Sequence, residues 1–199
     1  MKKFLGDYSY DMVKMFLNQF AIAIFGFSLV LTAGMADNVT LRNISSGAAI
    51  LLYLFLLYTN AWGIGYRDKV SVETGSKKRS VLTGFLISLC ANSINIILAI
   101  LITLANFLDM EIINAVGGVA SFLALFLEGM YTGLLANSIG GAVLNSCWFI
   151  YFLIPLPAII VSGVAYLLGV NDVKWTSFFN RQELPLSDRD VKQKERHDD

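Results

Sequence analysis

Residues 81–105 read VLTGFLISLCANSINIILAILITLA and contain no charged side chain. A helix rises about 1.5 Å per residue, so about 20 apolar residues are enough to cross about 30 Å of hydrocarbon. Leu, Ile and Ala dominate the stretch, and the strict alternation that would indicate a β-strand is absent. The stretch therefore predicts a helix that crosses a membrane.

Similar apolar segments lie on both sides of this stretch, and Glu128 is the only charged residue inside any of them. Because lipid offers no hydrogen bonds to the backbone, each segment is expected to be helical. We predict an all-α fold, a polytopic integral membrane helix bundle of about five transmembrane helices without a β-sheet, over residues 1–170. The five predicted segments are about 15–36, 47–66, 81–105, 115–136 and 147–168.

The composition of the whole chain supports this class. Of 199 residues, 56% are hydrophobic and only 15% are charged, whereas soluble domains carry about 25% charged residues. The mean hydropathy is +0.62. The 15 basic and 15 acidic residues cancel, so no basic excess recruits nucleic acid. The expected partner is the lipid bilayer.

Basic residues in the short connections predict the orientation of the bundle. They are concentrated before residue 15 and in the run Lys77, Lys78 and Arg79, so the amino terminus and the second loop are expected in the cytoplasm. Residues 53–67 and 154–169 have the general look of small bacterial polytopic proteins, and we expect a location in the cell membrane. The run 77–79 is interpreted as a topology signal, with binding of anionic headgroups as the alternative.

Residues 171–199 are polar, and we expect them to form a flexible tail. Five crossings would place this tail outside the cell, although it contains six Lys and Arg residues. Two interpretations remain open. Either the tail lies beyond the reach of the charge rule, or one segment within 115–168 is re-entrant and the tail is cytoplasmic. We keep five crossings as the prediction.

Polar residues within the apolar segments are the candidate functional site. Ser88, Asn92 and Asn95 are spaced by four and three residues, so they share one face of the third helix. Counting inward from the outer end of each segment places further polar positions at a similar depth. Pro155 has no N–H, so the carbonyl of Tyr151 loses its helical partner there. The predicted midplane polar layer consists of Glu128, Asn92, Asn60, Asn95 and Pro155.

Glu128 leads to two hypotheses of different kinds. Burial in hydrocarbon disfavours the charged carboxylate, so we expect a protonated side chain that donates a hydrogen bond. In the first hypothesis the layer fixes the helix register, and the protein is a structural or accessory subunit of a membrane assembly. In the alternative, Glu128 serves a small proton- or cation-coupled transporter.

Small residues predict close helix packing in the fourth segment. Gly129 and Gly133 form a GxxxG pattern, and Gly117 and Ser121 have the same spacing. Small side chains let two helices approach closely. Packing within the bundle is the preferred interpretation, and a face for a homo-oligomer is the alternative.

The sequence contains few of the residues and motifs that enzymes use for catalysis. His197 is the only histidine and lies in the tail, and the chain contains no CxxC, phosphate-binding loop or GxSxG motif. We therefore predict no catalytic residue, no metal site and no cofactor, and we favour a role other than enzyme.

Overall fold

The computed structural model of the chain describes residues 2–77, 80–108 and 110–173, and these residues are mostly helical. The helices are α1 (Lys2–Met35), α2 (Val39–Glu73), α3 (Thr83–Ala91), α4 (Ser93–Phe107), α5 (Glu111–Leu127), α6 (Thr132–Leu135), α7 (Ile150–Leu153) and α8 (Pro155–Val170). Two 3₁₀ turns lie at Gly129–Tyr131 and Leu144–Ser146, and two short strands are β1 (Ser138–Ile139) and β2 (Ala142–Val143).

Three helical stretches, namely α1, α2 and Ile150–Val170, are long and apolar enough to cross a membrane. The number rises to five if the bent pairs α3–α4 and α5–α6 each count as one span. The helical class and the membrane-length apolar segments are therefore confirmed for the described residues. The helices are longer than predicted at several ends, since α2 alone covers 35 residues.

Two of the predicted segments are bent, and each bend occurs at a polar residue. The axes of α3 and α4 differ by 58° around Asn92. Those of α5 and of Gly129–Leu135, which joins the 3₁₀ turn and α6, differ by 82° beyond Glu128. At the first bend, Nδ2 of Asn92 donates to the carbonyl oxygen of Ser88 at 2.9 Å. The same carbonyl oxygen also accepts from the backbone N–H of Asn92 at 2.9 Å, so the side chain adds a second bond where α3 ends. Each bend thus coincides with a buried polar residue.

Local signals in the sequence explain where the helices begin and end. The side chain of Asn38 accepts a hydrogen bond from the backbone N–H of Leu41 at 3.0 Å and caps the start of α2. Beyond the end of α2, Gly75 adopts a φ of 74°, a conformation in which glycine is favoured. Pro155 begins α8, where its missing N–H carries no cost.

The helices α1, α2, α3 and α8 meet at one end of the molecule, which we call the amino-terminal end of the bundle. Tyr8 near the start of α1 and Tyr166 near the end of α8 both donate to Asp68 near the end of α2. Tyr166 also interacts with Thr83, the first residue of α3. The chain therefore runs from this end in α1 and α3, and toward it in α2 and α8.

The segment that contains α5 and α6 begins and ends at the opposite end of the bundle. Asn137, just beyond α6, bonds the side chains of Arg42 and Asn43 near the start of α2 at 3.3 and 2.8 Å. The ring of Phe107 at the end of α4 lies 5.3 Å from that of Trp148. The chain thus enters the bundle through α5, turns beyond Glu128, and returns through α6 to the end from which it came.

The prediction of no β-sheet is wrong, because β1 and β2 form an antiparallel pair. Gly140 and Gly141 connect the strands with φ values of 63° and 87°. Two successive residues with positive φ are the requirement of the tight turn that joins such strands. The hairpin is a short element at the opposite end, in a stretch that the helical interpretation had assigned to a connection.

Two glycines let α8 pack closely against α2. A Cβ atom built on Gly65 would lie 2.2 Å from the carbonyl oxygen of Tyr166, and one built on Gly169 would lie 2.2 Å from that of Trp62. Because both glycines lack a side chain, the two backbones can approach this closely. The contact fixes α8 along α2 and positions Tyr166 against Asp68.

Candidate functional site

The two helix bends bring Asn92 and Glu128 into the interior of the bundle. Both side chains are buried, with exposed fractions of 2% and 1%. Asn92 lies between α3 and α4, and Glu128 lies between α5 and the following 3₁₀ turn. The bends therefore place an amide and a carboxyl group where a straight apolar helix would place a packed side chain.

Three tyrosines lie within electrostatic range of the Glu128 carboxyl group. It acts electrostatically on Tyr53 of α2, Tyr131 of the 3₁₀ turn and Tyr151 of α7. Within the described part of the chain, Oε2 of Glu128 and the hydroxyl of Tyr131 have no hydrogen-bond partner. Most buried polar atoms in proteins are hydrogen-bonded. An acid and a phenol that lack partners at one place therefore point to a site for a further group.

The amides of α3 and α4 reach this acid through Tyr53. The Tyr53 side chain interacts with that of Asn92, and Nδ2 of Asn95 donates to Oδ1 of Asn92 at 3.2 Å. The hydroxyl of Ser88 donates to the carbonyl oxygen of Ala158 in α8 at 3.3 Å. A set of interacting polar groups thus extends from α8 through α3 to Tyr53 of α2, which lies within electrostatic range of Glu128.

Backbone and side-chain contacts hold the turn that carries Glu128. Ser46 of α2 donates to the carbonyl oxygen of Met130 at 2.7 Å and accepts from the N–H of Gly133 at 3.0 Å. A further donor comes from α1, where Nε2 of Gln19 donates to the carbonyl oxygen of Leu127 at 3.4 Å. These contacts satisfy backbone groups that the end of α5 leaves without helical partners.

The predicted packing residues make their close contacts within the chain. A Cβ on Gly129 would lie 2.3 Å from the carbonyl oxygen of Ala23, and one on Gly117 would lie 2.1 Å from Cβ of Ala105. Gly133 lies against Ser46 and Arg42 of α2. The hydroxyl of Ser121 donates to the carbonyl oxygen of Gly117 at 2.9 Å.

Asn60 and Pro155 are placed differently from the other members of the predicted layer. Asn60 is half-buried, bonds Leu56 within its own helix, and lines a surface cleft together with Lys14. The depth count took 47–66 as a complete helix, whereas α2 extends well beyond it at both ends. Tyr53 occupies the position expected of Asn60. Pro155 is buried at the start of α8. The residue of this region that interacts electrostatically with Glu128 is Tyr151 in the preceding α7.

A second buried acid, which the sequence analysis did not single out, lies at the amino-terminal end of the bundle. Asp68 has an exposed fraction of 2%. Its Oδ2 accepts from the hydroxyls of Tyr8 at 2.5 Å and Tyr166 at 2.9 Å, and its Oδ1 accepts from Nζ of Lys77 at 3.0 Å. This Asp68 cluster connects α1, α2, α8 and the segment after α2.

Two further ion pairs lie beside the Asp68 cluster. Arg67 donates to Asp11 at 2.6 Å, and Lys69 donates to Asp172 at 3.0 Å. Lys77 is thus a member of an internal ion pair, in addition to its place in the predicted topology signal. Lys78 and Arg79 lie outside the described residues, as does the predicted tail from residue 174 onward.

The helical period could have identified Asp68 from the sequence. The buried residues Tyr53, Leu57, Ala61 and Ile64 of α2 are followed by Asp68 at the same spacing of three or four residues. The predicted segment ends at residue 66, so Asp68 lies outside it.

The described residues restrict the chemistry of the interior. They contain no group of three His, Cys, Asp or Glu side chains that could hold a metal ion. The groups around Glu128 are a carboxyl, phenols and amides, which can exchange a proton or supply oxygen ligands to a cation. We compared the chain with known protein families, with characterised proteins and with solved structures, and none of the three comparisons gives a match.

Proposed function

We propose that the chain is a multi-pass membrane protein that crosses the bilayer four times and inserts one re-entrant segment. The crossings are α1, α2, the bent pair α3–α4, and α7 with α8. The length and apolar character of these helices support the proposal. Large apolar side chains on the outside of the bundle, such as Leu51 and Phe122 with exposed fractions of 70% and 69%, are typical of a surface that meets lipid.

The re-entrant segment in this proposal consists of α5, the 3₁₀ turn and α6. Its support is the contact of Asn137 with Arg42 and Asn43, at the end of the bundle where α5 also begins. Four crossings place residues 1–14, the run 77–79 and the tail on the same side. The basic residues of all three then lie in the cytoplasm, which removes the conflict with the charge rule.

We further propose that Glu128 binds and releases a proton or a small cation in a transport cycle. The observation that carries this proposal is the buried oxygen Oε2 of Glu128, which has no partner among the described residues. A carboxyl group that served only to fix helix register would be expected to use its oxygens in hydrogen bonds. The unsatisfied acid therefore favours an exchangeable ligand over a structural bond.

The position of Glu128 at the end of α5 suits a positive ligand. The carbonyl groups at the carboxyl end of a helix carry a partial negative charge, and Glu128 is the residue that follows the last turn of α5. Interrupted helices that present their ends to a site near the midplane are typical of ion-coupled transporters. In this proposal the turn after Glu128 moves and admits the ion from the end of the bundle where α5 begins.

Flux measurements on the full chain in lipid vesicles test the proposal. The vesicles contain the protein and a trapped pH-sensitive dye, and a proton gradient is imposed across their membrane. We expect the protein to dissipate this gradient, either alone or in exchange for Na⁺ or K⁺ on the opposite side of the membrane. The variant Glu128→Gln keeps the shape of the side chain and should reduce this rate to that of empty vesicles. Glu111→Gln, at the exposed start of the same helix, is the matched control and should retain the rate. Equal rates for Glu128→Gln and the unchanged protein would refute transport through Glu128.

An accessory subunit of a membrane assembly, or a homo-oligomer, is the second candidate. The observation that favours it is a groove of ≈ 300 Å³ between α4 and α5, lined by apolar residues such as Leu98, Leu101 and Val119. A helix of a partner could fill such a groove by dispersion contacts. Native mass spectrometry of gently solubilised protein should then show a defined complex, and the variant Val119→Trp should dissociate it. A monomer under these conditions would exclude this candidate.

A further inference from the structure

A cleft of ≈ 230 Å³ opens between α1 and α2, on the flank of the bundle near its amino-terminal end. Its polar lining comes from both helices. The residues that matter for its chemistry are Asp11, Lys14, Thr59, Asn60, Gly63 and Arg67. The cleft is separate from the interior around Glu128, and it contains two cations and one anion.

Lys14 is the cation without a partner. It is exposed, and it makes no hydrogen bond or ion pair with the described residues. Arg67 is held on the other side of the cleft by Asp11 at 2.6 Å, and 54% of its side chain remains exposed. The cleft therefore carries one net positive charge, which is free to meet an anion.

Gly63 contributes to the lining of the cleft without a side chain and leaves open space there. A Cβ built on Gly63 would meet nothing within 4 Å. One turn earlier, Nδ2 of Asn60 uses a single hydrogen-bond donor for the carbonyl oxygen of Leu56, and an amide group carries two donors. A polar group that enters beside Gly63 would thus meet Lys14 and an amide donor together.

The surface next to the cleft is apolar. Val13 and Leu17 of α1 have exposed fractions of 56% and 57%, and Phe55 of α2, one turn from Thr59, has one of 61%. A ligand that fits both regions has an anionic head and hydrocarbon chains. Basic pockets between transmembrane helices bind the headgroups of anionic lipids in this manner.

We propose that this cleft binds the phosphate headgroup of an anionic phospholipid, with Lys14 as the main contact and Arg67 as the second cation. The proposal rests on the placement of the bundle in a membrane, and it does not depend on transport through Glu128. A soluble phosphate would use the same cations but would gain nothing from Val13, Leu17 and Phe55.

Lipid binding to the full chain in detergent can be measured by native mass spectrometry. The probes are dioleoylphosphatidylglycerol, dioleoylphosphatidylcholine and glycerol 3-phosphate. We expect preferential binding of phosphatidylglycerol and about a fivefold loss of this preference in Lys14→Gln, since a basic residue at a membrane surface contributes about this factor. Lys69→Gln, which removes a lysine outside the cleft, should leave the preference unchanged.

Two further variants separate lipid binding from a loss of fold. Asp11→Asn releases Arg67, so phosphatidylglycerol should bind more tightly, whereas a purely structural ion pair would give weaker binding and lower stability together. Gly63→Leu fills the cleft without a change of charge and should abolish the preference. Gly118→Leu is the matched control, because Gly118 also has open space around it and lies on α5.

Three outcomes would overturn the proposal. Equal binding of phosphatidylglycerol and phosphatidylcholine would exclude a headgroup site. Binding of glycerol 3-phosphate as tight as that of phosphatidylglycerol would assign the cleft to a soluble anion. A copurifying protein that is lost in Lys14→Gln, with lipid binding unchanged, would assign the cleft to a protein partner.

Discussion

Asp68 and Glu128, two of the buried acids among the described residues, differ in how their oxygens are used. Asp68 accepts hydrogen bonds from two tyrosines and a lysine, whereas Oε2 of Glu128 has no partner among the described residues. A buried carboxyl with several donors stabilises the elements that supply them. We therefore assign a structural role to Asp68. For Glu128 we propose the binding and release of a ligand.

Removal of the Asp68 carboxyl should destabilise the bundle. Asp68→Ala leaves Tyr8, Tyr166 and Lys77 without their acceptor, and we expect a loss of about 2–4 kcal/mol in the free energy of unfolding. Glu73→Ala, near the same end of the bundle but exposed, should change it by less than about 0.5 kcal/mol. Denaturant-induced unfolding in a mild detergent measures both, and a similar small effect in the two variants would contradict a structural task for the Asp68 cluster.

At the level of single elements, the bent segment α5–α6 depends on glycine. A Cβ on Gly133 would lie 2.6 Å from Oγ of Ser46 and 2.8 Å from the carbonyl oxygen of Arg42. The backbone of Arg42 cannot move aside without shifting α2, so the segment has a single position against this helix. The same close approach holds Glu128 at its depth in the bundle.

The substitution Gly133→Ala should therefore be harmful although alanine favours helices. We expect a loss of about 2 kcal/mol from the forced shift of the segment. Gly118→Ala offers the comparison, because its Cβ would meet nothing within 4 Å, and it should raise the stability by up to about 1 kcal/mol through helix propensity. Thermal unfolding of both variants in detergent tests the difference, and a tolerated Gly133→Ala would mean that the segment is loosely packed.

The helices of this bundle are predictable from the sequence because long continuous apolar stretches favour helices. The bends are harder to predict, since Asn92 and Glu128 are compatible with straight helices until their side-chain bonds and turn contacts are known. Asn60 shows the consequence. A depth count assumes straight helices with known ends, but α2 extends beyond its predicted range at both of its ends. Tyr53, instead of Asn60, therefore lies near Glu128. The hairpin depends on two adjacent glycines, which the apolar pattern does not reveal.

For the whole molecule, the proposed re-entrant segment connects the charge pattern with the candidate site. Four crossings bring the basic regions to one side of the membrane, and the turn beyond Glu128 lies inside the bundle instead of emerging on the far side. A protein with five straight crossings would have its two ends on different sides and Glu128 within a continuous helix. The number of crossings thus decides how an ion could reach the acid.

Side-specific labelling of single cysteines tests this claim most directly. In a chain with Cys90 and Cys147 replaced by serine, an impermeant maleimide is applied to intact cells and to lysed cells. We predict that Ile112→Cys and Ile139→Cys, both exposed at the two ends of the re-entrant segment, are labelled from the outside, whereas Glu73→Cys is labelled only after lysis. Labelling of Ile112→Cys and Ile139→Cys from opposite sides would contradict the re-entrant segment and the proposed access to Glu128.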